Sequence, residues 1–166
     1  MDDNQLMHTR TITWEDPTQA LHVAQTMSGI EYLRAIQSGA LPPPPVALLI
    51  GMELLEVHEG QAVFRVEPAE YHYNPLGTVH GGITAILLDS AMGCAVQTLL
   101  PQGAGYTTLE IKVNYLRPMT STTGMVTCEG KIIHLGGRIA TSEARLTDAT
   151  GKLYAHGTTT CLLLRP

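Results

Sequence analysis

The chain has 166 residues, a formal net charge of −5 and 15% charged side chains, against roughly 25% in an average soluble domain. Hydrophobic residues make up 44%, so the missing charge is replaced by glycine, serine, threonine and small apolar residues, unlike a disordered chain. The acidic balance excludes an electrostatic footprint for nucleic acid or an acidic membrane, and so little surface charge points to a second copy of the chain covering part of it.

Residues 1–15 are polar and read as a loosely held tail. Acids in MDDNQLMHTR stand where a secretory signal needs a basic segment and an apolar run, so a cytoplasmic location is expected. Asp16-Pro17 sets a capping side chain before proline at a first helical position. The spacing of Leu21, Ala24, Met27, Ile30 and Arg34 then predicts one helix over 16–38, with Gly39 as its stop. Pro42 to Pro45 make a stiff spacer, and the apolar piece Val46 to Ile50 is too short for more than a turn. Residues 1–45 thus read as an extension ahead of a domain at 46–166.

Met52–Val57 and Gln61–Val66 are strand-like runs divided by His58-Glu59-Gly60, which predicts a hairpin. Residues 67–80, with Pro68, Asn74, Pro75 and Gly77, must be irregular. Gly81 to Leu100 predicts a helix of about 20 residues, roughly 30 Å long and apolar on almost every side. A helix without a polar face is a buried one, and Asp89, Ser90 and Gln97 make it a poor membrane span. Strand candidates follow at Thr107–Leu116, Thr122–His134, Arg138–Thr147 and Leu153–Leu163, separated by short turns. Sequential strands favour an antiparallel sheet, and an apolar helix must be enclosed by it. That α+β layout, a sheet wrapped around a long central helix, is the hotdog fold.

The chemistry is concentrated in HYNPLGTVHGGITAILLDSAMGCA, residues 72–95. His80-Gly81-Gly82 opens the central helix, where unshielded N–H groups and the helix dipole can receive a carbonyl oxygen becoming an oxyanion. Alternatively, the two glycines only permit a tight turn. Asp89 in the middle of an apolar helix is costly if ionised and unpaired. It serves either as a general base or nucleophile, or as a structural carboxylate bonded to a neighbouring loop. Gly81 and Asp89 are eight residues apart, roughly 12 Å along a helix. Both would have to stand within about 3 Å of one reacting centre, so a single helix cannot supply both. Two such helices, antiparallel across a two-fold axis, can.

The run N-P-x-G-x-V-H-G-G, then Asp after a seven-residue gap, then a strand like TTLEIKVNYLRP, resembles the hotdog acyl-CoA thioesterases of the phenylacetic-acid-degradation type over about residues 46–165. The resemblance implies that Asn74 and the Gly81 amide hold the thioester carbonyl, while Asp89 of the opposite subunit activates or replaces the attacking water. It also implies that a hydroxyl on the following strand positions that water, Thr108 being the better match and Thr107 its competitor. His80 and Gly82 are expected beside the substrate, shaping the turn. The substrate is then an acyl-CoA, with no other cofactor, and the assembly a homodimer or dimer of dimers.

A thioester carbon is electrophilic enough that polarising its oxygen and delivering one deprotonated water suffices. His72 and His80 lack a third ligand at metal spacing. Cys94, Cys128 and Cys161 stand far apart without a CxxC and read as free thiols. Cys94 as nucleophile has no basic neighbour in sequence. Coenzyme A phosphates need cations, for which Arg117, Arg138, Lys112 and Lys131 are candidates, each equally readable as a solvated strand or turn charge. Two other functions compete. A hotdog hydratase or dehydratase would pair His80 with Asp89, and a non-catalytic acyl-CoA binder would retain the fold without the reaction. The acyl group is not legible in the sequence.

Overall fold

The computed structural model describes residues 7–165. Residues 1–6 of the polar tail therefore lie outside the described residues. Met7 to Glu15 form neither helix nor strand, yet the segment is anchored. The Arg10 guanidinium donates to the carbonyl oxygens of Leu48 and Leu49 and stacks 4.1 Å from the centre of the Tyr71 ring.

The extension contains two helices where the apolar spacing predicts one: α1 at Pro17–Ala24 and α2 at Gly29–Gln37. Asp16 caps α1 as expected, accepting from the Thr18 N–H at 2.9 Å. The break comes from Ser28 and Glu31, whose side chains close a reciprocal capping box that starts a new helix. After the prolines, α3 occupies Pro45–Ile50 and ends on Gly51 in the left-handed region, at φ 75°. The hairpin is β1 at Met52–His58 and β2 at Gln61–Val66. The loop beyond it contains a single 3₁₀ turn, Glu70–His72. The central helix α4 runs over Gly81–Gln97, shorter than predicted by one turn because Pro101 and Gly103 follow closely.

The remaining strands are β3 (Gly105–Tyr115), β4 (Val126–Leu135), β5 (Ile139–Asp148) and β6 (Leu153–Leu164). β4 starts four residues later than predicted. Thr120 to Thr123 form a hydrogen-bonded turn and Gly124 takes a left-handed φ of 77°. All six strands join one antiparallel sheet in the order β1-β2-β4-β5-β6-β3. The sheet wraps α4, burying Leu87, Leu88 and Met92 completely against Val126, Cys128 and Leu146, and Val96 against Ala140 and Cys161. Each such side chain contributes about 1.5–3 kcal/mol of burial.

Two contacts bring helix and sheet unusually close. A Cβ at Gly130 of β4 would stand 2.2 Å from the Ala91 carbonyl oxygen, so the strand approaches α4 at a distance only glycine allows. Next to it, the buried Ser142 hydroxyl of β5 donates to the Met92 carbonyl at 3.1 Å. The helix is not enclosed on every side, however. Ile83, Ile86, Asp89, Ser90 and Cys94 remain half-buried along α4. The complete enclosure expected from composition fails within one protomer, because a curled sheet covers only one side of a helix. Part of the remaining face is roofed by α2, where Gly29 of α2 donates its N–H to the Leu100 carbonyl just past α4. α2 also fixes β1, since the Gln37 side-chain amide donates to the Leu55 carbonyl at 2.7 Å.

Candidate active site

The loop between β2 and α4 folds back on itself through a Tyr73–Val79 bridge and a backbone bond from Asn74 N–H to the Thr78 carbonyl. This sets Asn74 in the same hairpin-like turn that leads into Gly81. The Asn74 Oδ1 accepts from the Leu76 N–H at 2.8 Å, and its Nδ2 donates to the Thr78 hydroxyl at 3.2 Å. A carboxamide nitrogen carries two hydrogens, so one donor remains.

His80 is the N-cap of α4, and its Nδ1 accepts from the Gly82 N–H at 2.9 Å. The Gly82 amide is thereby occupied. Among the described residues no acceptor takes the Gly81 N–H, a first-turn donor that has no intrahelical partner. Gly81 is further pinned by Tyr115, whose hydroxyl donates to the Gly81 carbonyl at 3.2 Å while its ring covers the glycine. The residue pattern gave no sign of this tyrosine's role, because Tyr115 stands at a strand end where alternation no longer assigns a face.

Asp89 lies two turns along the same helix, half-buried, and its Oδ1 accepts from the Thr108 hydroxyl at 3.0 Å. A β-bulge aims Thr108. Register between β3 and β6 shifts between Thr108 and Glu110, leaving Leu109 unpaired and 55% exposed. Tyr106 and Thr108 face α4 before the bulge, and Ile111 and Val113 face the core after it. Thr107 is exposed, so the structure sets Thr108 and not Thr107 against the carboxylate. Tyr106 covers the helix one turn beyond Asp89; a Cβ on Gly93 would meet its hydroxyl oxygen at 2.2 Å.

Within one protomer the Asn74–Gly81 and Asp89–Thr108 pairs stay apart, separated by the eight residues of α4. Arg117 lies beside the first pair, lining with Gly81, Thr84 and Tyr115 a cleft of about 250 Å³. Its guanidinium also donates to the Leu153 carbonyl. Arg138 is exposed at the other end of β6, where its carbonyl accepts from the Leu163 N–H. Leu153 and Leu163 are ten residues apart, roughly 33 Å along a strand, so the two arginines do not meet in one protomer. Lys112 and Lys131 are exposed strand residues, and Lys131 pairs with Glu129 at 2.7 Å. Burial, with the Asp89 charge adding, pushes the Cys94 thiol up to about 12, which leaves it without nucleophilic thiolate. Cys128 and Cys161 are also free, and both are buried. Among the described residues no group of three His, Cys, Asp or Glu side chains could hold a metal.

A thioesterase-superfamily model matches residues 76–155, which span the HGG turn, α4 and β3 to β5. The chain is 32% identical to the 1,4-dihydroxy-2-naphthoyl-CoA hydrolase of Listeria monocytogenes, over 63% of its own length and 83% of that protein. This chain belongs to the thioesterase superfamily. The thioesterase is also 30% identical to human acyl-coenzyme A thioesterase 13, over 63% of its own length and 74% of the human protein. Among solved structures it resembles a phenylacetic acid degradation-related protein of Ralstonia eutropha, with TM-score 0.71 and 27% identity, covering 79% of this chain and 98% of that one. A mutant of the phenylacetic acid degradation protein PaaI of Thermus thermophilus gives TM-score 0.66 and 30% identity, over 74% and 100% of the two chains. The thioesterase is thus a hotdog-fold enzyme that hydrolyses thioesters. No described helix is long and apolar enough to cross a membrane.

Proposed function

We propose that this thioesterase hydrolyses acyl-CoA in a site built from two protomers. Asn74 Nδ2 and the Gly81 N–H of one chain hold the carbonyl oxygen, and Asp89 of the other, oriented by Thr108, activates the water. The observation that carries this reading is the geometry of α4, with a free amide at Gly81 and an oriented carboxylate at Asp89 on one rigid helix. The rise of roughly 12 Å between them is too long for one substrate carbonyl. An antiparallel second copy brings Gly81 opposite Asp89 twice. The half-open face of α4 and the unpaired edge of β3 offer the surface for that copy. Coenzyme A belongs to the substrate, and the reaction asks for no further cofactor.

In this arrangement water adds to the thioester carbon as its proton passes to Asp89. The new oxyanion is held by the Gly81 amide and the Asn74 carboxamide. Collapse of the tetrahedral intermediate breaks the C–S bond, and the departing thiolate recovers the proton from Asp89. Direct attack by Asp89 instead would give an anhydride and a free thiol before water enters. A first product without label, after a single turnover in water labelled with heavy oxygen, shows direct attack, since water opening the anhydride at the aspartyl carbon hands an unlabelled Asp89 oxygen to the acid. His80 Nδ1 is taken up in capping Gly82, which weighs against an acid–base role for that nitrogen in water addition to an enoyl-CoA.

The test is thiol release from a panel of acyl-CoA esters by wild type and Asp89→Asn. The substitution keeps size and hydrogen bonding while removing the base, and is expected to cost at least ~100-fold in kcat. Equal rates in the two proteins would overturn the assignment.

A further inference from the structure

The loop that carries Asn74 is closed at its foot. Tyr73 and Val79 bridge across it, and one step outside that bridge the His80 N–H donates to the His72 carbonyl at 2.8 Å. Asn74 thus begins one arm, and the other arm runs through His80 directly into Gly81. Both arms rise from the 3₁₀ turn Glu70–His72. Whatever fixes that turn fixes the two groups assigned to the carbonyl oxygen.

The turn is fastened to the end of α3. Gly51 N–H donates to the Ala47 carbonyl at 2.7 Å, and the last three carbonyls of the helix, those of Leu48, Leu49 and Ile50, lie beyond any intrahelical donor. Ile50 accepts from His72 Nε2 at 2.8 Å. The other two are taken by the tail. The Arg10 guanidinium donates to the Leu48 carbonyl at 2.8 Å and to that of Leu49, while its plane lies 4.1 Å from the centre of the Tyr71 ring. His8, two residues earlier, pairs with Glu70. Every residue of the turn is therefore gripped from this side: Glu70 by His8, Tyr71 by Arg10 and His72 by Ile50. Arg10 is exposed and Tyr71 is 51% exposed, so the clasp lies on the surface. Surface contacts of this kind contribute little to global stability. A guanidinium that bonds two carbonyls and stacks on a ring supplies fixed geometry instead.

We propose that Arg10 is a positioning residue for thioester hydrolysis, clasping the turn from which the loop of Asn74 and Gly81 rises. By holding Tyr71 and His72 against α3, it fixes the His72–His80 foot of the loop. Asn74 Nδ2 and the Gly81 N–H are thereby aimed at the place where the carbonyl oxygen develops charge. Arg10 touches neither the substrate nor the reacting atoms. This deepens the two-protomer reading and rests on it, and it gives the N-terminal tail a part in turnover. Oxyanion donors act only when aimed beforehand, so loosening their support costs rate more than binding.

The experiment measures acyl-CoA thiol release by wild type, Arg10→Met, Tyr71→Leu and Asp89→Asn, and by Arg10→Met combined with Asn74→Ala or with Thr108→Val. Methionine keeps an aliphatic stem while removing both donors and the charge. Tyr71→Leu cuts the same clasp from its other side. Each is expected to lower kcat roughly tenfold with KM little changed. The loss from Arg10→Met should shrink to less than about threefold beside Asn74→Ala, where the carbonyl-holding end is already impaired. It should persist in full beside Thr108→Val, which weakens only the base. A merely structural role would multiply into both backgrounds alike. Wild-type kcat in either single variant, or equal losses in the two backgrounds, overturns the Arg10 assignment while an inactive Asp89→Asn leaves the catalytic reading standing. Equal turnover by wild type and Asp89→Asn overturns both.

Discussion

The Thr108 hydroxyl donates to Asp89 Oδ1 at 3.0 Å, across the gap between the edge strand β3 and the central helix. This bond occupies one carboxylate oxygen and leaves Oδ2 for a water. It also explains how an acidic residue is tolerated on a helix composed largely of apolar residues: Asp89 is half-buried and hydrogen-bonded, so the penalty for an isolated interior charge does not arise. The position of the base is therefore coupled to a single bulge on β3.

Thr108 acts on the substrate through Asp89 and the water, so its variants should separate orientation from folding. Thr108→Ser keeps the hydroxyl and should retain most of kcat. Thr108→Val keeps shape but removes the donor, and should lose roughly tenfold in kcat with KM little changed. Steady-state thiol release over a substrate series decides. Equal losses in the serine and valine variants would show that the methyl group, not the hydroxyl, matters.

Sharing one site between two chains can be tested by complementation. Asp89→Asn lacks the base and Asn74→Ala lacks one carbonyl donor, so each homodimer should be nearly inactive. Equal amounts refolded together should produce heterodimers with one intact site, restoring about a quarter of the wild-type sites. Activity of the mixture no higher than that of the separate variants would place all these residues in one protomer.

The long helix, the hairpin and the four later strands were legible because each has one dominant period and ends close to glycine, proline or aspartate. The site was legible in part, because an HGG turn and a carboxylate on an apolar helix stand out locally. What escaped was set by partners far along the chain. The split of the predicted 16–38 helix depends on a Ser28–Glu31 box that apolar spacing does not register. Tyr106 and Tyr115 acquire their positions from Gly93 and Gly81, and no local pattern links a strand tyrosine to a helix glycine. The exposed Leu109 marks a bulge that strict alternation would have erased.

Close packing of β4 on α4 makes Gly130 a stability determinant. A methyl group there would meet the Ala91 carbonyl oxygen at 2.2 Å and its carbon at 2.3 Å, and backbone atoms cannot rotate away. Gly130→Ala should destabilise by about 1–3 kcal/mol, lowering Tm by several degrees. Gly137→Ala is the control, since a Cβ there meets nothing within 4 Å. Comparable Tm values for the two variants in a thermal melt would contradict this account of the contact.

His72 links pH to the loop that carries Asn74. Its ring is buried, with Nε2 donating to the Ile50 carbonyl at 2.8 Å and Nδ1 accepting from the Ala69 N–H at 3.0 Å. Burial above all, with the Arg10 charge adding, holds its ionisation below the ordinary histidine value, although the Ile50 bond opposes the shift. The native ring is thus neutral, and the unfolded state binds the extra proton more readily. Stability from this group is complete above the unfolded value of about 6.5 and falls as pH drops below it towards the lower folded value. Protonation of Nδ1 also removes the acceptor for Ala69, the residue just before the 3₁₀ turn Glu70–His72 that leads into Tyr73 and Asn74. Wild type should therefore lose denaturation midpoint between about pH 7 and pH 5, whereas His72→Gln should start lower and show a shallower dependence over that interval. Parallel pH profiles for the two proteins in urea titrations would mean that His72 does not carry the effect.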